Sequence, residues 1–159
     1  PLIVMTPKSL LRLPQAVSSL DDFTSGTFQR VLPDSTIDPK AVTRVLLVTG
    51  KLYYELAAAR EERKATDTAI VRLEQLYPLD MQVIEKALAP YPKGAEVVWV
   101  QEEPSNMGAW SFLRVRWGDT VAGRPFRGVT RPESASPATG SGAAHRLEQA
   151  ELIGHAFGE

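Results

Sequence analysis

The stretch VVWVQEEPSNMGAW, Val97 to Trp110, decides the fold. Val97-Val98-Trp99-Val100 is a short β-branched and aromatic run, too short for a buried helix and suited to a pleated backbone. It predicts a central buried strand. The apolar run stops at Gln101, two acids follow, and Pro104 has no backbone donor with which to continue a ladder, so the chain leaves the sheet there. Ser105-Asn106-Met107-Gly108 turns it, and Ala109, Trp110, Phe112 and Leu113 recur at helical spacing. Glu102 and Glu103 therefore stand at the carboxyl end of a strand, the edge where open α/β sheets usually bind ligands and partners.

The same alternation extends in both directions. Upstream, Leu2-Ile3-Val4-Met5 reads as a first buried strand, and Thr6-Pro7-Lys8-Ser9 as an N-cap opening a helical turn through Arg12. Asp21 to Gly26 reads as a polar segment around a short helix whose Phe23 packs inward, and Phe28 to Lys40 has the proline and aspartate content of a connector. Val42 to Thr49 is a second strand, Gly50-Lys51 a tight turn, and KLYYELAAAREERK a helix dense in good helix formers. Ala69 to Leu73 follows as a strand parallel to the second, across a crossover long enough for a helix. Tyr77-Pro78-Leu79-Asp80 opens another helix, with Val83, Ile84, Ala87 and Leu88 on one face. Downstream of Trp117, Phe126 to Thr130 supplies a fifth strand. The small-residue loop SASPATGSG, Ser134 to Gly142, then leads into a last helix with an apolar stripe of Leu147, Ala150, Ile153 and Phe157. The reading is one α/β domain over residues 1–159, with three layers: a five-stranded, mostly parallel sheet and helices on both faces.

Composition narrows the function. The formal net charge of −1 supplies no basic excess to displace counterions from a phosphate backbone, which argues against nucleic acid as a partner. The absence of cysteine excludes disulfides and thiolate metal sites. No apolar run reaches membrane-spanning length and the first residues lack a signal-peptide pattern, so the cytoplasm is the expected compartment. A start at Pro1, directly in a strand-like run, reads as a piece of a longer chain.

Chemistry-bearing patterns are sparse. Glu102 and Glu103 are adjacent, and on an extended chain adjacent side chains point opposite ways, so they suit ion pairing better than joint acid–base work. His145 and His155 lie at opposite ends of the last helix, without a metal-ligand partner at helical spacing, and read as surface residues. Thr49-Gly50-Lys51 lacks the upstream glycine of a phosphate loop. The Ser134–Gly142 loop has the small residues of a surface that fits closely against another chain or domain. Trp99, Trp110 and Trp117 read as core or interface aromatics. No nucleophile stands with a base, and no glycine-rich dinucleotide turn occurs.

Four segments taken together go further: PLIVMTPKSLLR (Pro1–Arg12), TGKLYY (Thr49–Tyr54), AIVRLEQLYPL (Ala69–Leu79) and WVQEEPSNMGAW (Trp99–Trp110). With SASPATGS and the closing HRLEQAELIGHAF they resemble the C-terminal domain of the thiamine-dependent 2-oxoglutarate dehydrogenase component, in the transketolase superfamily. The resemblance implies a parent enzyme that uses thiamine diphosphate and magnesium to decarboxylate 2-oxoglutarate in the tricarboxylic acid cycle. That enzyme would pass succinyl to the lipoyl group of dihydrolipoyl succinyltransferase. It implies a transketolase-type sheet with one antiparallel strand, serving assembly with the remaining domains and the dimer mate.

The family's Gly-Asp-Gly cofactor signature does not occur here, so the resemblance assigns no catalytic residue, no metal ligand and no cofactor to this domain. It also implies an alternative role as an adenine-nucleotide effector module, for AMP or acetyl-CoA. Candidate effector residues are Arg12, Arg30, Lys51, Arg72 and Gln75, which that reading requires to converge on one pocket. For acetyl-CoA, the matching places hold Thr27, Arg30, Gln75 and Met81-Gln82-Val83, and the paired arginines that would grip its phosphates are missing.

Overall fold

The computed structural model describes residues 1–159. Four parallel strands form its centre: β2 (Arg44–Val48), β3 (Thr68–Leu73), β4 (Glu96–Pro104) and β6 (Arg124–Arg131). Two-residue antiparallel strands, β1 (Val31–Leu32) and β5 (Thr120–Val121), border them, giving the order β1-β3-β2-β4-β6-β5. The sheet is therefore six-stranded and mixed, not five-stranded and mostly parallel. The connector from Phe28 to Lys40 and the turn after Trp117 each contribute a strand too short for periodicity to reveal.

Helices cover both faces. On one face, α2 (Leu52–Arg63) and α5 (Gly142–Phe157) bring Leu52, Leu56, Leu152 and Ala156 onto Leu46, Val48, Ile70, Val98 and Val100. On the other, α3 (Met81–Leu88) and α4 (Trp110–Trp117) bring Ile84, Leu88, Leu113 and Trp117 onto Val45, Leu47, Val71, Val97 and Trp99. Burial on both faces is why these strands read as continuous apolar runs rather than alternating ones. Asp80 starts α3 by accepting hydrogen bonds from the amides of Gln82 (3.1 Å) and Val83 (3.4 Å). None of these helices is long and apolar enough to cross a membrane.

Three expectations fail in whole or in part. Leu2 to Met5 are not a buried strand: they join no sheet and are 68–92% exposed. Phe23, on the five-residue helix α1 (Leu20–Thr24), points outward at 78% exposed. The stripe proposed for the last helix holds only in part: Ile153 and Phe157 pack against the core, but Leu147 and Ala150 are exposed while Gln149, Leu152 and Ala156 face the sheet. The turn after Pro7 does form, as a 3-10 turn over Lys8–Arg12 with no buried residue.

Asp34 holds the connector against the outer edge of β3. Its carboxylate accepts the Ile70 amide at 2.9 Å, the Thr36 amide at 2.9 Å and the Thr36 hydroxyl at 2.6 Å, and it pairs with Arg60. Burial alone would raise its pKa, but these hydrogen bonds outweigh burial and leave it below the ordinary carboxylate value. A depressed carboxylate contributes stability above its unfolded pKa, near ~4, and that contribution is lost as pH falls through the folded value. Asp34→Asn is expected to lower unfolding free energy at neutral pH by roughly 1–3 kcal/mol, and to flatten the fall in stability below about pH 4. Urea unfolding of both proteins between about pH 3 and pH 7 checks this, and equal slopes would refute it.

Candidate functional site

The carboxyl edge of the sheet is built around one side chain. The β4–β6 register shifts between Val100 and Pro104, so the strand runs past Gln101 to Pro104 through an irregularity. Gln101, 3% exposed, fills the gap. Its Oε1 accepts from the Trp99 indole (2.8 Å) and from the Trp110 amide (2.8 Å). Its Nε2 donates to the carbonyls of Met107 (2.7 Å), Pro104 (3.1 Å) and Glu103 (3.3 Å). One amide thus closes the QEEPSNMGAW turn and sets where α4 begins. Gly108 is required there twice over: its φ is +66°, and a Cβ would lie 2.8 Å from the Gln101 side chain. Gly128 on β6 likewise leaves room for the Trp110 ring, 2.7 Å from where its Cβ would stand.

Neighbouring polar groups attach other segments to this turn. Glu102 pairs with Lys51 in the turn after β2, and Lys51 also reaches Glu55 at 3.4 Å. Asn106 donates to the Ser134 carbonyl (3.0 Å) and accepts from its amide (3.2 Å), so the small-residue loop starts beside the organising turn. Arg131, at the end of β6, donates to Gln149 (2.7 Å), His145 Nδ1 (3.0 Å) and Thr139 (3.3 Å). His145 is therefore partly buried and bonded rather than a free surface residue, whereas His155 is exposed.

The winding of the sheet reverses between β2 and β4. From β2 the chain crosses over α2 to β3 on one side, and from β4 it crosses over α4 to β6 on the other. An opening of about 450 Å³ lies at that point, touching Thr49, Tyr77, Trp99, Glu103 and the start of α4. A larger recess of about 820 Å³ lies between α2 and residues 9–15.

The five effector candidates do not share one cavity. Lys51 lines the larger recess; Arg12, Arg30, Arg72 and Gln75 do not. Arg30 pairs with Asp80 at 3.0 Å, and Arg72 with Glu74 at 2.8 Å while stacking 4.6 Å from the Tyr53 ring centre. Gln75 donates to the Pro78 carbonyl at 3.0 Å. Arg12 sits on the exposed 3-10 turn. Each cation of the Arg30, Lys51 and Arg72 set already faces a carboxylate, so the edge presents little free positive charge.

Residues 17–157 match a family model described as the 2-oxoglutarate dehydrogenase C-terminal region. The chain belongs to that family. It is 45% identical over 159 residues to a 2-oxoglutarate dehydrogenase E1 component of Cupriavidus necator, covering 99% of this chain and 17% of that protein. It is 44% identical over 155 residues to a 2-oxoadipate dehydrogenase complex component E1 of Xenopus laevis, covering 96% and 17% respectively. A 2-oxoglutarate dehydrogenase E1/E2 component of Corynebacterium glutamicum is 44% identical over 160 residues, covering 99% and 13%. The chain thus spans about a sixth of the length of the curated relatives it matches.

Thiamine diphosphate and magnesium do not fit the residues present in this 2-oxoglutarate dehydrogenase C-terminal domain. The resembled family's cofactor signature is a Gly-Asp-Gly followed some distance on by paired asparagines; here no Gly-Asp-Gly turn occurs, Asn106 is the sole asparagine, and no three acidic or histidine side chains gather as a metal site. No catalytic step is therefore assigned to this chain. The role of Gln101 was missed because a glutamine after an apolar strand carries no periodic signal; its pairing with Gly108 and Trp110 across a turn was the available clue. Gln101→Ala is expected to leave buried donors and carbonyls unpaired and to cost roughly 3–4 kcal/mol of stability, measured by urea unfolding. A loss below about 1 kcal/mol would show that water replaces the amide.

Proposed function

We propose that the chain is the C-terminal assembly domain of a longer, cytoplasmic 2-oxo acid dehydrogenase component. In full length that enzyme would decarboxylate 2-oxoglutarate with thiamine diphosphate and magnesium in the tricarboxylic acid cycle. It would pass succinyl to the lipoyl group of dihydrolipoyl succinyltransferase. Family membership and the names of the relatives support the 2-oxoglutarate dehydrogenase part of this reading, and the compartment rests on the sequence alone. Relatives named for 2-oxoglutarate and for 2-oxoadipate match almost equally, which supports placing the choice of 2-oxo acid outside this domain.

One observation carries the assembly role. Of the twelve large apolar side chains that are strongly exposed, nine fall between Leu2 and Phe28. A run of that density costs free energy in water and serves as a contact surface for the remaining domains or the dimer mate. The pairing of Arg30, Lys51 and Arg72 with carboxylates makes adenine-nucleotide control the weaker reading. The test is a double variant, Ile3→Asp with Phe23→Asp. In the 159-residue chain it is expected to shift unfolding free energy by no more than about 0.5 kcal/mol. In the full-length enzyme it is expected to reduce dimer content by light scattering, with loss of 2-oxoglutarate turnover. Normal assembly and turnover of the full-length variant would overturn the proposal.

A further inference from the structure

Leu2-Ile3-Val4-Met5 differs in kind from the other exposed apolar residues near it. Leu11, Val17, Leu20, Phe23 and Phe28 stand apart from one another, among Lys8, Arg12, Asp21, Asp22 and several serines and threonines, which suits a surface with one face covered. Leu2 to Met5 are apolar at every position, and their main-chain amides and carbonyls make no hydrogen bond within the domain. No residue before Val31 is buried. The continuous apolar runs at residues 45–48 and 97–100 show what such a run requires. Both are inner strands of a parallel sheet, with every side chain withdrawn from water. The edge strands β1 and β5 are only two residues long.

The segment also falls outside the family unit yet inside the longer relatives. The family model begins at residue 17, whereas two of the relatives named above match across 99% of the chain. We propose that Leu2 to Met5 form an inner strand of a second parallel sheet, supplied by a part of the same longer polypeptide outside residues 17–157. One strand would flank it on each side, and its side chains would be covered on both faces. Residues 6–30 then cross from one domain to the other. The inference rests on the assembly reading and gives that contact its form: main-chain pairing for residues 2–5, side-chain packing for the apolar residues from Leu11 to Phe28. A covalent tether keeps the local concentration of a sheet in the same chain high, which favours it over a sheet of the dimer mate.

The test is hydrogen exchange of the full-length enzyme, resolved to single residues by electron-transfer fragmentation in a mass spectrometer. The amides of Ile3, Val4 and Met5 are expected to exchange at least roughly a thousandfold more slowly than unprotected amides, as core strands do. All three should be slow, because successive amides of a strand point to opposite neighbours and an inner strand pairs on both sides. Val4→Thr, which puts a hydroxyl where both faces are apolar, should speed exchange over residues 2–6 about tenfold and leave Ile70 and Val71 unchanged. Protection at alternate amides only would make the segment an edge strand and overturn the inference, as would an unaltered rate in Val4→Thr. Free exchange over residues 2–6 with protection over residues 11–28 would overturn it and leave the assembly reading standing, whereas free exchange throughout residues 2–28 would remove both. Protection of residues 2–6 that is lost when the dimer is diluted to monomers would overturn it in favour of the dimer mate.

Discussion

The amide of Gln101 is the contact on which the carboxyl edge depends. Where β4 loses register with β6, a bulge would ordinarily leave buried donors and carbonyls unpaired, each costing about 1–3 kcal/mol. A single side chain with two acceptor lone pairs and two donors meets that need with five contacts, its two N–H groups being shared among three carbonyls. Other requirements follow from it. Gly108 must lack a side chain because the amide occupies its space, and α4 must start at Trp110 because that residue's backbone donates to the same oxygen. With α4 placed, Leu113 and Trp117 enter the core and Trp110 lies over Gly128 of β6.

The opposite edge is held by charge. Glu96 at the start of β4 sits between Arg44 of β2 (3.3 Å) and Arg127 of β6 (2.7 Å), so one carboxylate ties three parallel strands. Burial would raise the Glu96 pKa, yet Arg127 and Arg44 together hold it below the usual value. A second device closes α3: Arg124, 1% exposed, donates to the carbonyls of Leu88, Tyr91, Pro92 and Ala122. It thereby satisfies acceptors that a helix end leaves unpaired. Burial lowers its pKa, but a guanidinium holds its proton so tightly that it remains a cation here. Charged side chains at these positions are thus spent on fastening the sheet.

The parts legible in the sequence are those where local pattern and tertiary environment agree. The runs at Val45–Val48, Ala69–Leu73 and Val97–Val100 are apolar on every residue or nearly so, and only a doubly covered sheet buries such runs completely. Asp80 and Ser141 are short polar residues before helical segments, and both cap. The misphased stripe of α5 has a polar cause. Gln149 faces inward because it bridges Arg131 and Glu55, a pairing distant in sequence, and the helix turns Leu147 outward to allow it. Hydrophobicity alone assigns that position to solvent. The five effector candidates were selected by charge and order in the chain, and neither states whether a cation is already neutralised.

Leu2 to Met5 show the remaining limit. Their composition demands burial, and the inference from composition to a buried strand is sound as far as it goes. What composition does not specify is which sheet receives the strand. Here both edges are already occupied, β1 pairing with β3 on one side and β5 with β6 on the other, and Asp34 takes the free Ile70 amide beside β1. A strand-forming segment excluded from its own domain's sheet remains a strand-forming segment, with unpaired backbone groups and apolar side chains on both faces. The same residues that falsify a local prediction therefore supply the contact surface proposed above. Their misplacement in this domain and their suitability for contact with another follow from one property of the sequence.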